Sequence, residues 1–237
     1  MEHDQNMPRR PQVLAFDVFG TVVDWYSTVR REVEALGRGL DADAVASAWR
    51  AGYPVAMERV RSGELGWTRI DDLHRMILDD VLEKADCALD EATRVELNRV
   101  WHRLDPWPDS PGGLARLRRG FHICTLSNGN LSLLAEMAKH ASLPWDLILS
   151  AENFRHYKPD PQTYLGVADV FDVDPAQVMM VAAHKNDLAS ARACGLMTAF
   201  IRRPAEFGPN RPNDTSDDPV ADFNADDIHQ LATMLGC

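Results

Sequence analysis

Polar side chains of several kinds stand where apolar runs end. "VLAF" runs into Asp17, with Gly20 and Thr21 close behind; "FHICTL" delivers Ser127 and Asn128; "HYKPD" carries Lys158; and "VMMVAA" delivers His184, Asn186 and Asp187. If the runs are strands of one parallel sheet, their carboxyl ends form the rim where ligands bind. A carboxylate, a hydroxyl, an amide, an ammonium, an imidazole and a second carboxylate would then meet there, and chance placement does not favour that. An ionised carboxylate held in such company can attack carbon and form an ester. Each residue also has a plainer reading. Asp17 could cap a turn, Ser127-Asn128-Gly129 could be a turn, and Lys158 could be an exposed loop lysine. Asp187 could be an acid in a helix's first turn, and His184 a core histidine.

The elements that would position these residues follow from the pattern. "QVLAF" reads as a buried strand. "STVRREVEALGRGL" reads as a helix with Ser27 as its cap. "DADAVASAWRAGYPVAMERVRSGELG" repeats apolar residues at helical spacing, with Pro54 expected to kink or interrupt it. "TRIDDLHRMILDDVLEKA" carries the stripe Ile70, Leu73, Ile77, Leu78, Val81, Leu82, and "DEATRVELNRVWHRL" is a helix capped by Asp90. "DPWPDSPGG" ends the helical block. Strands "FHICTLSNG", "DLILSAE", "VMMVAAH" and "MTAFI" then alternate with helices "NLSLLAEMAKHA", "DPQTYLGVADVF" and "NDLASARACG". That alternation implies a parallel sheet with right-handed crossovers. "RRPAEFGPNRPNDTSDDP" reads as loop, and a last helix falls near "ADDIHQLATML". The fold class is therefore α/β, a Rossmann-like core of residues 12–24 and 108–237 with a helical domain inserted at 25–107.

The bulk numbers set limits. The net charge of −11 and pI near 5.1 argue against a nucleic-acid or anionic-membrane surface. A small anionic substrate would need local basic groups. Four scattered cysteines, Cys87, Cys124, Cys194 and Cys237, show no zinc spacing and read as thiols of a reducing cytosol. "MEHDQNMPRRPQ" lacks an apolar signal core, and no run reaches the ~20 apolar residues of a membrane span. A cytoplasmic protein is expected. The oligomeric state is left open, with a homodimer among the readings.

In order along the chain, "FDVFGTVVD", "LSNG", "YKPDPQTY" and "VAAHKNDL" resemble the four motifs of the haloacid dehalogenase-like (HAD) hydrolases, over residues 12–24 and 108–204. Within them the chain looks most like the type II (S)- or L-2-haloacid dehalogenases, and residues 25–107 resemble their helical cap, less specifically. The resemblance implies that Asp17 is the nucleophile, that Thr21 fixes its direction, and that Gly20 allows the tight turn. Lys158 would pair with Asp17 or Asp187, and Asp187 would orient the water that cleaves the ester. Ser127 and Asn128 would bind the substrate carboxylate and the halide. Arg50, in "SAWRAGY", would close over the halide end with Trp49 packed inward; Arg59 and Arg61 are weaker rivals. Tyr164 would touch the site or be a core tyrosine.

Phe19 holds the position where the family's phosphatases carry a second aspartate. That acid protonates a leaving alkoxide, work typically worth ~10²–10⁴-fold. A halide leaves as an anion and needs charge and hydrogen-bond donors instead. The last motif offers one acid, Asp187, so no metal and no cofactor are expected. Where well-known members have a serine, an asparagine and a tryptophan, this chain has Ala182, His184 and Asn186. Extra donors there would favour fluoride. The expected reaction is hydrolysis of small 2-haloalkanoic acids, fluoroacetate included, to 2-hydroxy acids. Another HAD hydrolase (a phosphatase or a strained-ring 2-carboxylate hydrolase) and a non-catalytic binding protein are the alternatives.

Overall fold

The computed structural model describes residues 10–237. β1 (Val13–Phe16) ends at Asp17, and β2 (Val23–Asp24) runs straight into α1 (Trp25–Ala35). The helical insertion follows: α2 (Ala42–Arg61), α3 (Ile70–Lys84) and α4 (Glu91–Asn98), then a 3₁₀ turn over Arg99–His102. β3 (Asp105–Pro106) pairs antiparallel with β2, Val23 opposite Pro106, so the chain enters and leaves the insertion side by side. The rest alternates: α5 (Ser110–Leu117), β4 (His122–Ser127), α6 (Leu131–His140), β5 (Leu147–Ser150), α7 (Ala151–Phe154), α8 (Pro161–Phe171), β6 (Val178–Ala182), α9 (Lys185–Ala193), β7 (Met197–Ile201), β8 (Phe223–Ala225) and α10 (Ile228–Met234).

The strands form one parallel sheet in the order β5-β4-β1-β6-β7-β8. β1 is central, and all four of its side chains are buried. Its alternation splits the core into two layers. Val13 and Ala15 pack with Tyr164, Val167 and Leu188. Leu14 and Phe16 belong to the other layer, which runs on without a break into the insertion through Trp49, Leu73, Leu78 and Trp101. Every residue of the α3 stripe is buried.

Three local expectations are corrected. The cap of α1 is Asp24, whose carboxylate accepts the Ser27 N–H at 2.9 Å; Ser27 lies in the first turn. α2 runs unbroken through Pro54, because buried Trp49, Tyr53 and Ala56 anchor both sides of it and packing outweighs the ~3 kcal/mol intrinsic cost. "SPGG" opens α5 instead of ending a block as loop. Its glycines serve close helix packing: a Cβ on Gly113 would stand 2.6 Å from Ile228 Cγ2 on α10. The segment after β7 is loop until Phe223, where β8 extends the sheet. Among the described residues no helix is long and apolar enough to cross a membrane.

Candidate active site

Asp17 leaves β1 at the sheet's carboxyl edge, nearly buried. Its Oδ1 accepts from Lys158 Nζ at 2.9 Å. Its Oδ2 accepts from Thr21 Oγ1 at 2.7 Å and lies 3.2 Å from His184 Nδ1. Thr21 Oγ1 in turn accepts the Ala183 N–H at 2.9 Å, which ties the turn after β1 to the end of β6. Burial alone would raise the Asp17 pKa. The Lys158 charge, then the bond to His184 and its charge, outweigh burial and hold the carboxyl far below the usual carboxylate range. Asp17 is an anion throughout the neutral range.

Lys158 also donates to Asp187 Oδ2 at 2.5 Å, and Tyr164 donates to Asp187 Oδ1 at 2.6 Å. Burial works to lower the Lys158 pKa, but the charges of Asp17 and Asp187 raise it above the ordinary lysine value. The ammonium thus stands between the two carboxylates, in the space where a bridging cation would otherwise balance them. Among the described residues no three His, Cys, Asp or Glu side chains are grouped to hold a metal ion.

His184 caps the start of α9 with both ring nitrogens facing carboxylates. Nε2 lies 2.8 Å from Glu206 Oε1. Burial would lower its pKa, yet the bonds to Asp17 and Glu206 raise it to about 10. The ring is an imidazolium whose N–H groups are both engaged, so it offers the cavity charge more than a free donor. Because the folded pKa exceeds the ordinary 6.5, this proton stabilises the fold fully below about pH 6.5, and the contribution fades as pH rises through 10. In urea titrations the stability gap between wild type and His184→Gln narrows as pH approaches 10. A gap constant from neutral pH to beyond 10 would mean a neutral ring.

Glu206 is fully buried. It also accepts from Trp25 Nε1 at 3.4 Å and Asn213 Nδ2 at 3.1 Å. It can come this close only because residue 20 lacks a side chain. Gly20 has φ +84°, and a Cβ there would lie 2.2 Å from Glu206 Oε1. Gly20→Ala therefore costs about 1–3 kcal/mol of backbone strain and pushes Glu206 off His184. Thermal melts and the His184 titration, followed by NMR, both shift; an unmoved His184 titration would refute the coupling. Next to this network, Arg203 forks onto Asp109 with two 2.8 Å bonds and donates to Thr21 O at 2.8 Å.

These groups line a cavity of about 390 Å³. Its walls include Asp17, Phe19, Asn128, Lys158, Tyr164, His184, Asn186 and Asp187 from the sheet side. From α2 come Arg50, Tyr53, Met57 and Arg61. Positive groups therefore cluster locally in an acidic protein. Asn128 Oδ1 accepts the Lys158 N–H at 2.8 Å, and its Nδ2 lies 3.2 Å from Met57 Sδ. Ser127 does not line the cavity: it is fully buried, and its hydroxyl accepts the Gly129 N–H at 3.1 Å. Trp49 points inward, donating to His74 O at 2.9 Å. Arg50 faces the cavity with its guanidinium 4.6 Å from the Tyr53 ring centre. Arg59 pairs with Glu64 and stays off the walls, whereas Arg61 bridges to Asp160 at 2.9 Å. Tyr53, Met57 and Glu206 were not expected from the sequence. Tyr53 alone had a signal, since it lies within the "SAWRAGY" that carries Arg50.

A carboxylate at the end of the central strand, a lysine bonded to it and side chains of the helical insertion share one cavity. The family model for haloacid dehalogenase-like hydrolases matches residues 11–195, and the chain belongs to that family. (S)-2-Haloacid dehalogenase 1 of Pseudomonas sp. (strain CBS-3) is 30% identical, over 83% of this chain and 88% of its own. The crystal structure of an L-2-haloacid dehalogenase is 44% identical, with TM-score 0.91, and covers 95% of this chain and 99% of that one. That of a defluorinating L-2-haloacid dehalogenase is 43% identical, with TM-score 0.93, over 96% of each.

Proposed function

We propose that this protein is an L-2-haloacid dehalogenase, hydrolysing small (S)-2-haloalkanoic acids to 2-hydroxy acids through an ester on Asp17. The observation that carries the reading is an Asp17 held ionised by Lys158 beside Phe19, which cannot donate a proton. Relatives of 30% and 44% identity with that activity support it. Asp17 attacks C2 from the side opposite the halogen; the C–O bond forms as the carbon–halogen bond breaks, and the halide leaves with the bonding pair. Arg50 and Asn128 receive it, with His184 adding charge and Asn186 at the rim. The substrate carboxylate lies beside Asn128, on the cavity wall. A water oriented by Asp187 and Lys158 then attacks the ester's carboxyl carbon, freeing the alcohol and restoring Asp17. Only the first step inverts C2. Tyr164 holds Asp187 in place.

We assign residues 12–24 and 108–237 to the core and 25–107 to the cap, which excludes water and strengthens each charge interaction. All four cysteines are free, which fits the cytoplasmic location we assign. Chloride and fluoride electrodes with (S)- and (R)-2-chloropropionate, chloroacetate and fluoroacetate test the reading. The (S) acid is consumed to the (R)-hydroxy acid and the (R) acid is not. Silence on every haloacid would overturn it. Defluorination is the finer claim, in keeping with the defluorinating relative. It fails if His184→Ala leaves fluoride release intact.

A further inference from the structure

Among the described residues, the buried side-chain polar atoms without a hydrogen-bond partner are Arg50 Nε, both ring nitrogens of His74, Asn98 Oδ1 and Trp101 Nε1. All belong to the helical insertion, and Arg50, His74 and Trp101 form one cluster. His74 stacks on Trp101 with ring centres 4.3 Å apart. Tyr53 lies 5.6 Å from His74, and the Arg50 guanidinium stands 4.6 Å from the Tyr53 ring centre. Native interiors pair almost all such atoms, because an unpaired one costs stability, so a cluster of them calls for an explanation.

The types of these atoms indicate what would satisfy them. Arg50 Nε–H and the Trp101 indole N–H only donate. Burial pushes the His74 pKa down to about 3, so its ring is neutral and brings one N–H. Donors outnumber acceptors, one donor is cationic, and the surrounding ring edges are electropositive. Such a set of donors suits a small anion. It also adjoins the cavity. Phe19 and Tyr53 line the cavity and pack on His74, at 6.3 and 5.6 Å. Arg50 belongs to both spaces.

We propose that Arg50, His74 and Trp101 form an inner halide site in the insertion, behind Phe19 and Tyr53, which takes the halide after it leaves the substrate carbon. The proposal rests on the dehalogenase reading. A halide left beside the ester could attack C2 again and regenerate the haloacid. Drawing it behind the aromatic rings blocks that return and leaves the ester to water.

Halide NMR line broadening on the intact protein, with sodium chloride and sodium bromide as probes, reads binding without turnover. His74→Leu fills the same space without nitrogens, and Trp101→Phe removes one N–H. Bromide affinity falls about tenfold in His74→Leu and by less in Trp101→Phe. Bromide inhibition of turnover weakens in parallel, while His74→Leu melts at or above the wild-type temperature because unpaired nitrogens are gone. Affinities within twofold of wild type in both variants overturn the site. If His74→Leu does not fold, Trp101→Phe decides alone. A wild type that binds bromide through His74 but releases halide from no haloacid would sink the dehalogenase reading and keep the anion site. One that turns over with unchanged binding in the variants would sink the site alone.

Discussion

Asp17→Asn abolishes halide release, lowering kcat by about 10⁴-fold or more, as loss of a covalent nucleophile does elsewhere. An amide oxygen is too weakly nucleophilic to displace a halide from carbon. The fold survives, because each neighbouring cation keeps a second partner: Lys158 retains Asp187 and His184 retains Glu206. Halide release and a thermal melt on the same sample separate lost chemistry from lost structure. A single turnover of wild type in ¹⁸O-water adds a second mark. The label enters the Asp17 carboxylate, and the product's hydroxyl oxygen comes from the protein. A variant retaining a tenth of wild-type activity, or label found directly in the product, would remove Asp17 from its role.

Lys158→Met has the largest effect on stability. The ammonium is the shared partner of two buried carboxylates, and removing one member of such a set costs about 3–5 kcal/mol at neutral pH. The sign with pH follows from Asp17. Its folded pKa is depressed, so in wild type it contributes stability above the ordinary carboxylate pKa, and that contribution is lost as pH falls through the folded value. Without Lys158 the depression weakens to what His184 and Thr21 supply, and the variant's deficit in urea unfolding shrinks below about pH 4. The acid limb of any remaining activity moves to higher pH, because Asp17 loses the largest charge that favours its ionised form. A deficit equal at pH 7 and at pH 3.5 would mean that Lys158 acts by packing and not by charge.

The core could be read from the sequence because its strands are buried on both faces and appear as bare apolar runs, so the polar residue ending each run marks the rim. Asp17, Thr21, Asn128, His184 and Asp187 were visible in this way, and Lys158 was read from the loop "HYKPD". Glu206 was not. It lies in a segment rich in Pro, Gly, Asn and Asp that reads as solvated loop, and a glutamate there has every prior of being exposed. Its burial depends on Trp25, which is 181 positions away in the chain. Arg203 was hidden for the same reason, since its partner Asp109 is 94 positions off. The glycines of "SPGG" carried a turn signal that packing against α10 overrode. The inner cluster of the insertion was hardly legible: the resemblance turned Trp49 inward, but His74 lies outside the stripe read in its helix, and spacing says nothing about which polar atoms find partners there.

β1 has a consequence for how the molecule is made. It precedes both of its partners, β4 and β6, by a long stretch of chain, with Val13 opposite His122 and Val178. Such distant pairing closes long loops and slows folding. The insertion's helices, held by contacts nearer in sequence, can order while the sheet is still waiting. Until the chain beyond Val178 has emerged, Asp17 has neither Lys158 fixed beside it nor His184 behind it, and it is an ordinary aspartate. The nascent protein carries its reactive group unarmed, and arming is the act of completing the sheet.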